Sequence, residues 1–189
     1  GVVSVLGTTG RSPGSITIDS AGNIYTANID DNNVSKITPA GVSSILGTTG
    51  DAPFAITIDS DGNIYTANTN SNNVSKITPA GVSSILGTTG SDPIGIAIDS
   101  NGNIYTANTQ ADNVSKITPA GVSSILGTTG TGPYGITVDS AGTVYVTNYS
   151  SNNVSKITSA GVSTILGSTG AGPIALALGS NGNVYVANY

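Results

Sequence analysis

Carboxylates are the first residues in this chain that could do chemistry. Asp19, Asp59, Asp99 and Asp139 hold one place in a pattern that recurs every 40 residues. Like carboxylates at a fixed spacing suit calcium binding or proton transfer. Their neighbours give a different reading. Each stands three residues ahead of a Gly, as in Asp99-Ser100-Asn101-Gly102, where an Asp side chain caps its own downstream amides. Gly179 takes the place in the last copy. Asp59-Ser60-Asp61-Gly62-Asn63 has oxygen atoms at alternate positions, as a calcium loop does, but its Gly comes two places early and no Glu follows. No metal site is assigned.

The residues that are missing bound the chemistry further. The chain has no His, Cys, Glu, Trp or Met. That removes the usual general base, the thiolate nucleophile and every common zinc ligand except Asp. The inventory therefore points to a chain that is not an enzyme, with no catalytic residues and no cofactor.

What remains is a binding surface, sought where the copies differ. The 40-residue copies are almost identical except in two loops, residues 11–14 and 29–32 with their equivalents. Framework Asp and Lys cancel, so Arg11, Asp30, Asp31, Asp51, Asp61, Asp92 and Asp112 carry the net charge of −5, and all but Asp61 lie in these loops. Phe54, Ile94, Tyr134 and Ile174 stand where Gly14 does. Aromatic rings beside hydrogen-bonding groups suit stacking on a sugar or gripping a protein loop. Arg11, Asp30, Asp31, Asp51, Phe54, Asp92, Gln110, Asp112, Tyr134 and Tyr149 are the candidate ligand-binding residues. Variation at tolerant loop tips is the plain alternative.

These loops need elements to hold them. Within Gly81–Ala120, four runs rich in Val, Ile, Thr and Tyr read as strands: Val82–Leu86, Ile96–Asp99, Asn103–Asn108 and Asn113–Thr118. Asp-x-x-Gly and Pro-Ala-Gly segments supply the hairpin turns, and Gly87-Thr-Thr-Gly90 a longer crossing loop. Four strands in 40 residues is the count of one propeller blade. Val2–Leu6 opens the chain as an outer strand, so the copies hold 19 strands, one short of five blades. The expectation is an all-β, five-bladed β-propeller of four-stranded antiparallel blades with an incomplete closing blade made from Leu176–Tyr189 and Val2–Leu6. It forms one domain over 1–189, from repeats 1–40, 41–80, 81–120, 121–160 and a partial 161–189.

The run Pro-x-x-Ile-Thr-Ile-Asp-Ser-x-Gly-Asn-Ile-Tyr-Thr-Ala-Asn resembles the NHL-repeat and YVTN-type β-propeller unit. Tyr145-Val146-Thr147-Asn148 spells the second name. The resemblance covers the whole chain and implies an innermost Ile-Thr-Ile-Asp strand and an outermost Val-Ser-Ser-Ile-Leu strand. Propeller hydrolases and streptogramin lyases are expected to carry Glu or His in their pockets, which this chain does not offer. The functional expectation is a non-catalytic binding or scaffold module with a protein or glycan partner, extracellular or displayed on a surface. A purely structural repeat body is the alternative, with a propeller hydrolase or lyase behind both.

Other repeated residues read as framework. Lys36, Lys76, Lys116 and Lys156 lay apolar stems on the blade, and Tyr25, Tyr65, Tyr105, Tyr145 and Tyr185 pack the core or the space between blades. Asn33-Val34-Ser35 and its copies are glycosylation sequons only by repetition. Five basic residues against ten acidic ones make nucleic acid a poor partner. No apolar run reaches membrane-span length. The opening Gly1 suits a processed or excised segment, and the incomplete blade leaves an edge open to self-association.

Overall fold

A computed structural model describes residues 4–189. Every regular element in them is a β-strand. The first blade is a meander of β1 (Pro13–Ile18), β2 (Ile24–Asn28), β3 (Asn33–Ile37) and β4 (Ser43–Thr48), hydrogen-bonded in that order. The second repeats it with β5 (Pro53–Ile58), β6 (Ile64–Asn68), β7 (Asn73–Ile77) and β8 (Ser83–Thr88). The third holds β9 (Pro93–Ile98), β10 (Ile104–Asn108), β11 (Asn113–Ile117) and β12 (Ser123–Thr128). The fourth holds β13 (Pro133–Val138), β14 (Val144–Asn148), β15 (Asn153–Ile157) and β16 (Ser163–Ser168). A fifth sheet has only β17 (Pro173–Leu178) and β18 (Val184–Asn188). The fold is thus a β-propeller type with an incomplete last blade. The expected opening strand, Val2–Leu6, falls partly on residues 1–3, outside the described residues, and Ser4–Leu6 is not in a strand.

The turns form for the reason their residues suggest. Asp99 Oδ1 accepts the amides of Asn101 and Asn103, both at 2.9 Å, and Oδ2 accepts Asn103 Nδ2 at 2.8 Å and the Tyr105 hydroxyl at 2.9 Å. The same set surrounds Asp19 and Asp59. These carboxylates are consumed by their own hairpins. Partial burial alone would raise the Asp59 and Asp99 carboxyls, but the amide and hydroxyl donors outweigh it and hold both below the ordinary value. Burial, then the neighbouring Asp19, pushes the Tyr25 phenol up to about 12.

The chain divides into two compact units, up to Ile85 and from Leu86. In the first, Tyr25, Ala27 and Val34 of the first blade bury against Ile56, Ile64 and Ile77 of the second, with Leu46 and Ile58 at the margin. In the second, Tyr105, Ala107 and Val114 of the third blade bury against Val144, Val146 and Ile157 of the fourth. Period-2 alternation explains both cores. Tyr25 and Ala27 of β2, and their equivalents in β6 and β10, point to one face, while Ile24, Thr26 and Asn28 and their equivalents point to the other. Lys36 and Lys116 lie with Nζ 5.7 Å from the centroids of Tyr25 and Tyr105, so the stems pack as expected and the ammonium groups gain the ring faces.

A buried asparagine sits at the far end of the second strand in the first four blades, inside a polar cage. Asn28, fully buried, donates through Nδ2 to Asn33 Oδ1 at 2.7 Å and to Ser35 Oγ at 2.8 Å, and its Oδ1 accepts the Thr26 hydroxyl at 3.1 Å. The Gly10 amide donates to Ser35 Oγ at 3.1 Å. Equivalent cages surround Asn68 and Asn108. Asn33-Val34-Ser35 is therefore a cage motif. Gly belongs at position 50 of the crossing loop because a Cβ there would come within 2.8 Å of both Asn68 Nδ2 and Asn73 Oδ1.

The fourth blade departs from this scheme. Val146 stands where Thr26, Thr66 and Thr106 stand, and Asn148 Oδ1 is buried without a hydrogen-bond partner. Val146→Thr restores the missing donor at nearly constant volume. It is expected to raise unfolding stability by about 1 kcal/mol, measured by urea denaturation. A fall in stability would show that the fourth cage is built differently.

Candidate functional site

The cages lie directly beneath the variable loops. Asn28 ends β2 and Asn33 begins β3, so the two side chains clamp the base of loop 29–32. Gly10 ties the entry to loop 11–14 into the same cage. Both loops of a blade are thus held at one end of the sheet.

In the first unit the loops meet as an ion-paired cluster. The Arg11 amide and Nε donate to Asp31 Oδ2 and Oδ1, both at 2.7 Å, and Ser12 Oγ donates to Asp30 Oδ2 at 2.5 Å. The amide first, then the guanidinium, holds the Asp31 carboxyl below its ordinary value. Arg11 remains 75% exposed, so the pair is a solvated contact worth little stability. On the second blade, the Asp51 amide donates to Ser71 Oγ at 2.7 Å, while the Asp51 side chain is exposed and Phe54 is half-buried on β5. The Ala52 amide donates to Asn32 Oδ1 at 2.8 Å, which joins the second blade's loop to the first.

In the second unit the same link recurs. Asp112 Oδ1 accepts the Gly132 amide at 2.9 Å, and Asn152 Oδ1 accepts the Gly172 amide at 2.9 Å. The Tyr134 and Tyr149 rings lie 6.3 Å apart, tilted by 39°. A Cβ at Gly172 would come within 3.1 Å of the Tyr149 ring, so the small residue leaves room for it. Asp92 and Gln110 flank the third blade's loops, where the Asp92 carbonyl accepts the Thr109 amide at 2.8 Å and the Gln110 amide donates to the Ser91 carbonyl at 3.3 Å. The candidate residues therefore fall into two groups, with Arg11, Asp30, Asp31, Asp51 and Phe54 in the first unit and the other five in the second.

The residues that sequence reasoning missed are the linkers Asn32 and Asn152, with Asp112 acting in the same place. Their signal was the Asn or Asp that stands just before each repeated Asn-Val-Ser, a position outside the sequon. All three adopt the left-handed conformation, with φ of 52°, 53° and 50°. Asn and Asp tolerate it better than other side chains do. The loops also hold Ser12, Ala52 and Asp92 there, at φ of 51°, 55° and 61°. This backbone strain gathers under the exposed rings and carboxylates, which together can hydrogen-bond and stack a ligand.

The model of the virginiamycin B lyase family matches residues 3–189. The chain belongs to that family. Among curated proteins, none matches it by sequence. Of solved structures, virginiamycin B lyase from Staphylococcus aureus is similar at a TM-score of 0.81 and 21% identity, over 93% of this chain and 63% of that one. A streptogramin B lyase is similar at 0.82 and 22%, over 94% and 62%. A nidogen/laminin complex chain is similar at 0.78 and 17%, over 95% and 73%. At these identities the structures support the propeller fold. The chain spans under two-thirds of the length of the lyases.

Family membership overturns the expectation of a non-catalytic binding or scaffold module and of a chain that is not an enzyme. That reading took the missing His, Glu and Cys as decisive. The family is written in the blade framework instead, and a residue inventory over part of a relative's length does not define an activity. Among the described residues no helix is long and apolar enough to cross a membrane.

Of the strained loop positions, Ala52 has the least reason to be left-handed, since its side chain makes no local hydrogen bond and Gly stands at the equivalent positions 132 and 172. Ala52→Gly is expected to raise stability by about 1 kcal/mol, read from thermal or urea unfolding. A destabilised variant would show that the Ala52 methyl contributes more packing than its backbone strain costs.

Proposed function

We propose that this chain is a lyase-type propeller whose variable-loop face holds a streptogramin B compound. The observation that carries the reading is the family match over residues 3–189. The tyrosine pair, the exposed carboxylates and the cage that fixes them support a ligand face at these loops. A catalytically inactive histidine-to-alanine variant of the S. aureus lyase was crystallised with quinupristin. This sequence has no histidine, so a lyase reaction here needs another proton acceptor. Among side chains of the second unit's loops, Asp112 is the best candidate. Its Oδ1 is oriented by the Gly132 amide, two residues ahead of Tyr134. Tyr134 and Tyr149 supply the stacking surface.

The test uses quinupristin with the intact chain, binding followed by calorimetry and conversion by chromatography with mass detection. Binding is expected, weakened roughly tenfold or more, about 1.4 kcal/mol, by Tyr134→Ala with Tyr149→Ala. Asp112→Asn is expected to lower conversion roughly 100-fold while binding is kept. An absence of both binding and conversion at millimolar quinupristin would refute the reading.

A further inference from the structure

Gly132 and Pro133, the two residues ahead of Tyr134, are buried, so their backbone polar groups need partners. Each has one. The Gly132 amide donates to Asp112 Oδ1 at 2.9 Å, and the Gly132 carbonyl accepts the Tyr149 amide at 2.8 Å. Proline has no amide to satisfy, and the Pro133 carbonyl accepts the Thr109 hydroxyl at 2.7 Å. Two of these three bonds come from loop 109–112 of the third blade, across the junction with the fourth. The inner strands also approach closely there, since a Cβ at Gly95 of β9 would collide with the Tyr134 carbonyl. The segment that carries Tyr134 is thus held by the neighbouring blade as well as by its own.

The two side chains that reach across differ in how the copies use them. The place of Asp112 is Asn32, Asn72 or Asn152 in the other copies, and the Asn32 and Asn152 links show that this contact belongs to the frame. The place of Thr109 is less uniform. Thr69 shares its hydroxyl, whereas Ile29 has none and Tyr149 carries its own at the far end of a ring. A hydroxyl at this place is therefore not required to build a blade.

What the hydroxyl fixes is the start of β13 and, one residue later, the Tyr134 ring. The Tyr134 and Tyr149 centroids are 6.3 Å apart. A third ring sliding between them needs roughly 7 Å, two carbon contacts of about 3.5 Å each. The pair therefore acts as one surface, whose shape depends on where Pro133 places Tyr134. We infer that Thr109 is a positioning residue of this face: its hydroxyl seats the Pro133 carbonyl and so sets Tyr134 against Tyr149. Without the hydroxyl that buried carbonyl loses its partner, and the segment shifts to recover one. The consequence for binding rests on the reading of these loops as the ligand face, while the ring geometry holds without a ligand.

Fluorine NMR of the chain labelled with 3-fluorotyrosine reads the seating directly, with Tyr134→Phe and Tyr149→Phe assigning the two signals. Thr109→Val, nearly equal in volume, is expected to move both signals and to leave those of Tyr25 and Tyr65 in place. Thr109→Ser keeps the hydroxyl and is expected to restore the parental spectrum. In calorimetry with quinupristin, Thr109→Val is expected to bind roughly fivefold more weakly, and Thr109→Ser like the parent. Unmoved Tyr134 and Tyr149 signals in Thr109→Val would overturn the inference. So would Thr109→Ser shifting them as far as Thr109→Val does, or undiminished binding by Thr109→Val where the parent binds. A parent that does not bind quinupristin refutes the ligand reading alone, and the spectra then decide the seating. If Thr109→Val fails to fold by circular dichroism, Thr109→Ala takes its place with the same outcomes.

Discussion

A buried carboxamide at the end of the second strand in the first four blades is the contact on which the positions of the functional loops depend. Asn68 illustrates it: the side chain is fully buried, Nδ2 donates to Asn73 and Ser75, and Oδ1 accepts Thr66. Burying an amide without partners costs free energy, so the site is stable only when strand end, strand start and hydroxyl meet in one geometry. The Gly50 amide on Ser75 adds the crossing loop to that geometry. The loops above can then vary in charge and size, because their ends are fixed below them.

Function in this chain is thus layered on a repeating frame. The apolar layer, Tyr and Ala against Ile and Val, joins blade to blade within each unit. The polar layer closes the hairpins through Asp19, Asp59 and Asp99 at one end and through the asparagine cages at the other. The copies diverge most above the cages, and there the backbone holds left-handed non-glycine residues such as Asp92 and Asp112. Strain at these positions is sustained by the links from Asn32, Asp112 and Asn152 to the amides of the next blade.

Much of this was legible in the sequence because repetition multiplies weak signals. Asp three residues before Gly marked the hairpin, and alternation in Ile-Tyr-Thr-Ala-Asn marked a strand with two buried faces. The strand at Pro13–Ile18 begins earlier than Ile16, since the crossing loop delivers an extended Pro into the sheet. The cage was not legible, because Asn28, Asn33 and Ser35 are polar residues whose partners meet only after the hairpin folds. The lyase family was not legible either. Missing histidine is a visible feature of the chain, whereas the likeness to the family lies in framework positions with no chemistry of their own. Of the ten candidate residues, Arg11 meets Asp31 across the two loops of the first blade, and Tyr134 meets Tyr149 through strand register rather than through any local motif.

Hydrogen exchange in an Asn108→Ala variant tests the dependence of the loops on the cage most directly. In the parent, the Gly90 amide is held by Ser115 Oγ and the Thr109 amide by the Asp92 carbonyl. Removing the carboxamide should free the loop ends by about 2 kcal/mol, a roughly 30-fold faster exchange at these two amides. Amides of the first blade should keep their parental rates. Unchanged exchange at Gly90 and Thr109 would contradict the claim that the cage holds the loops in place.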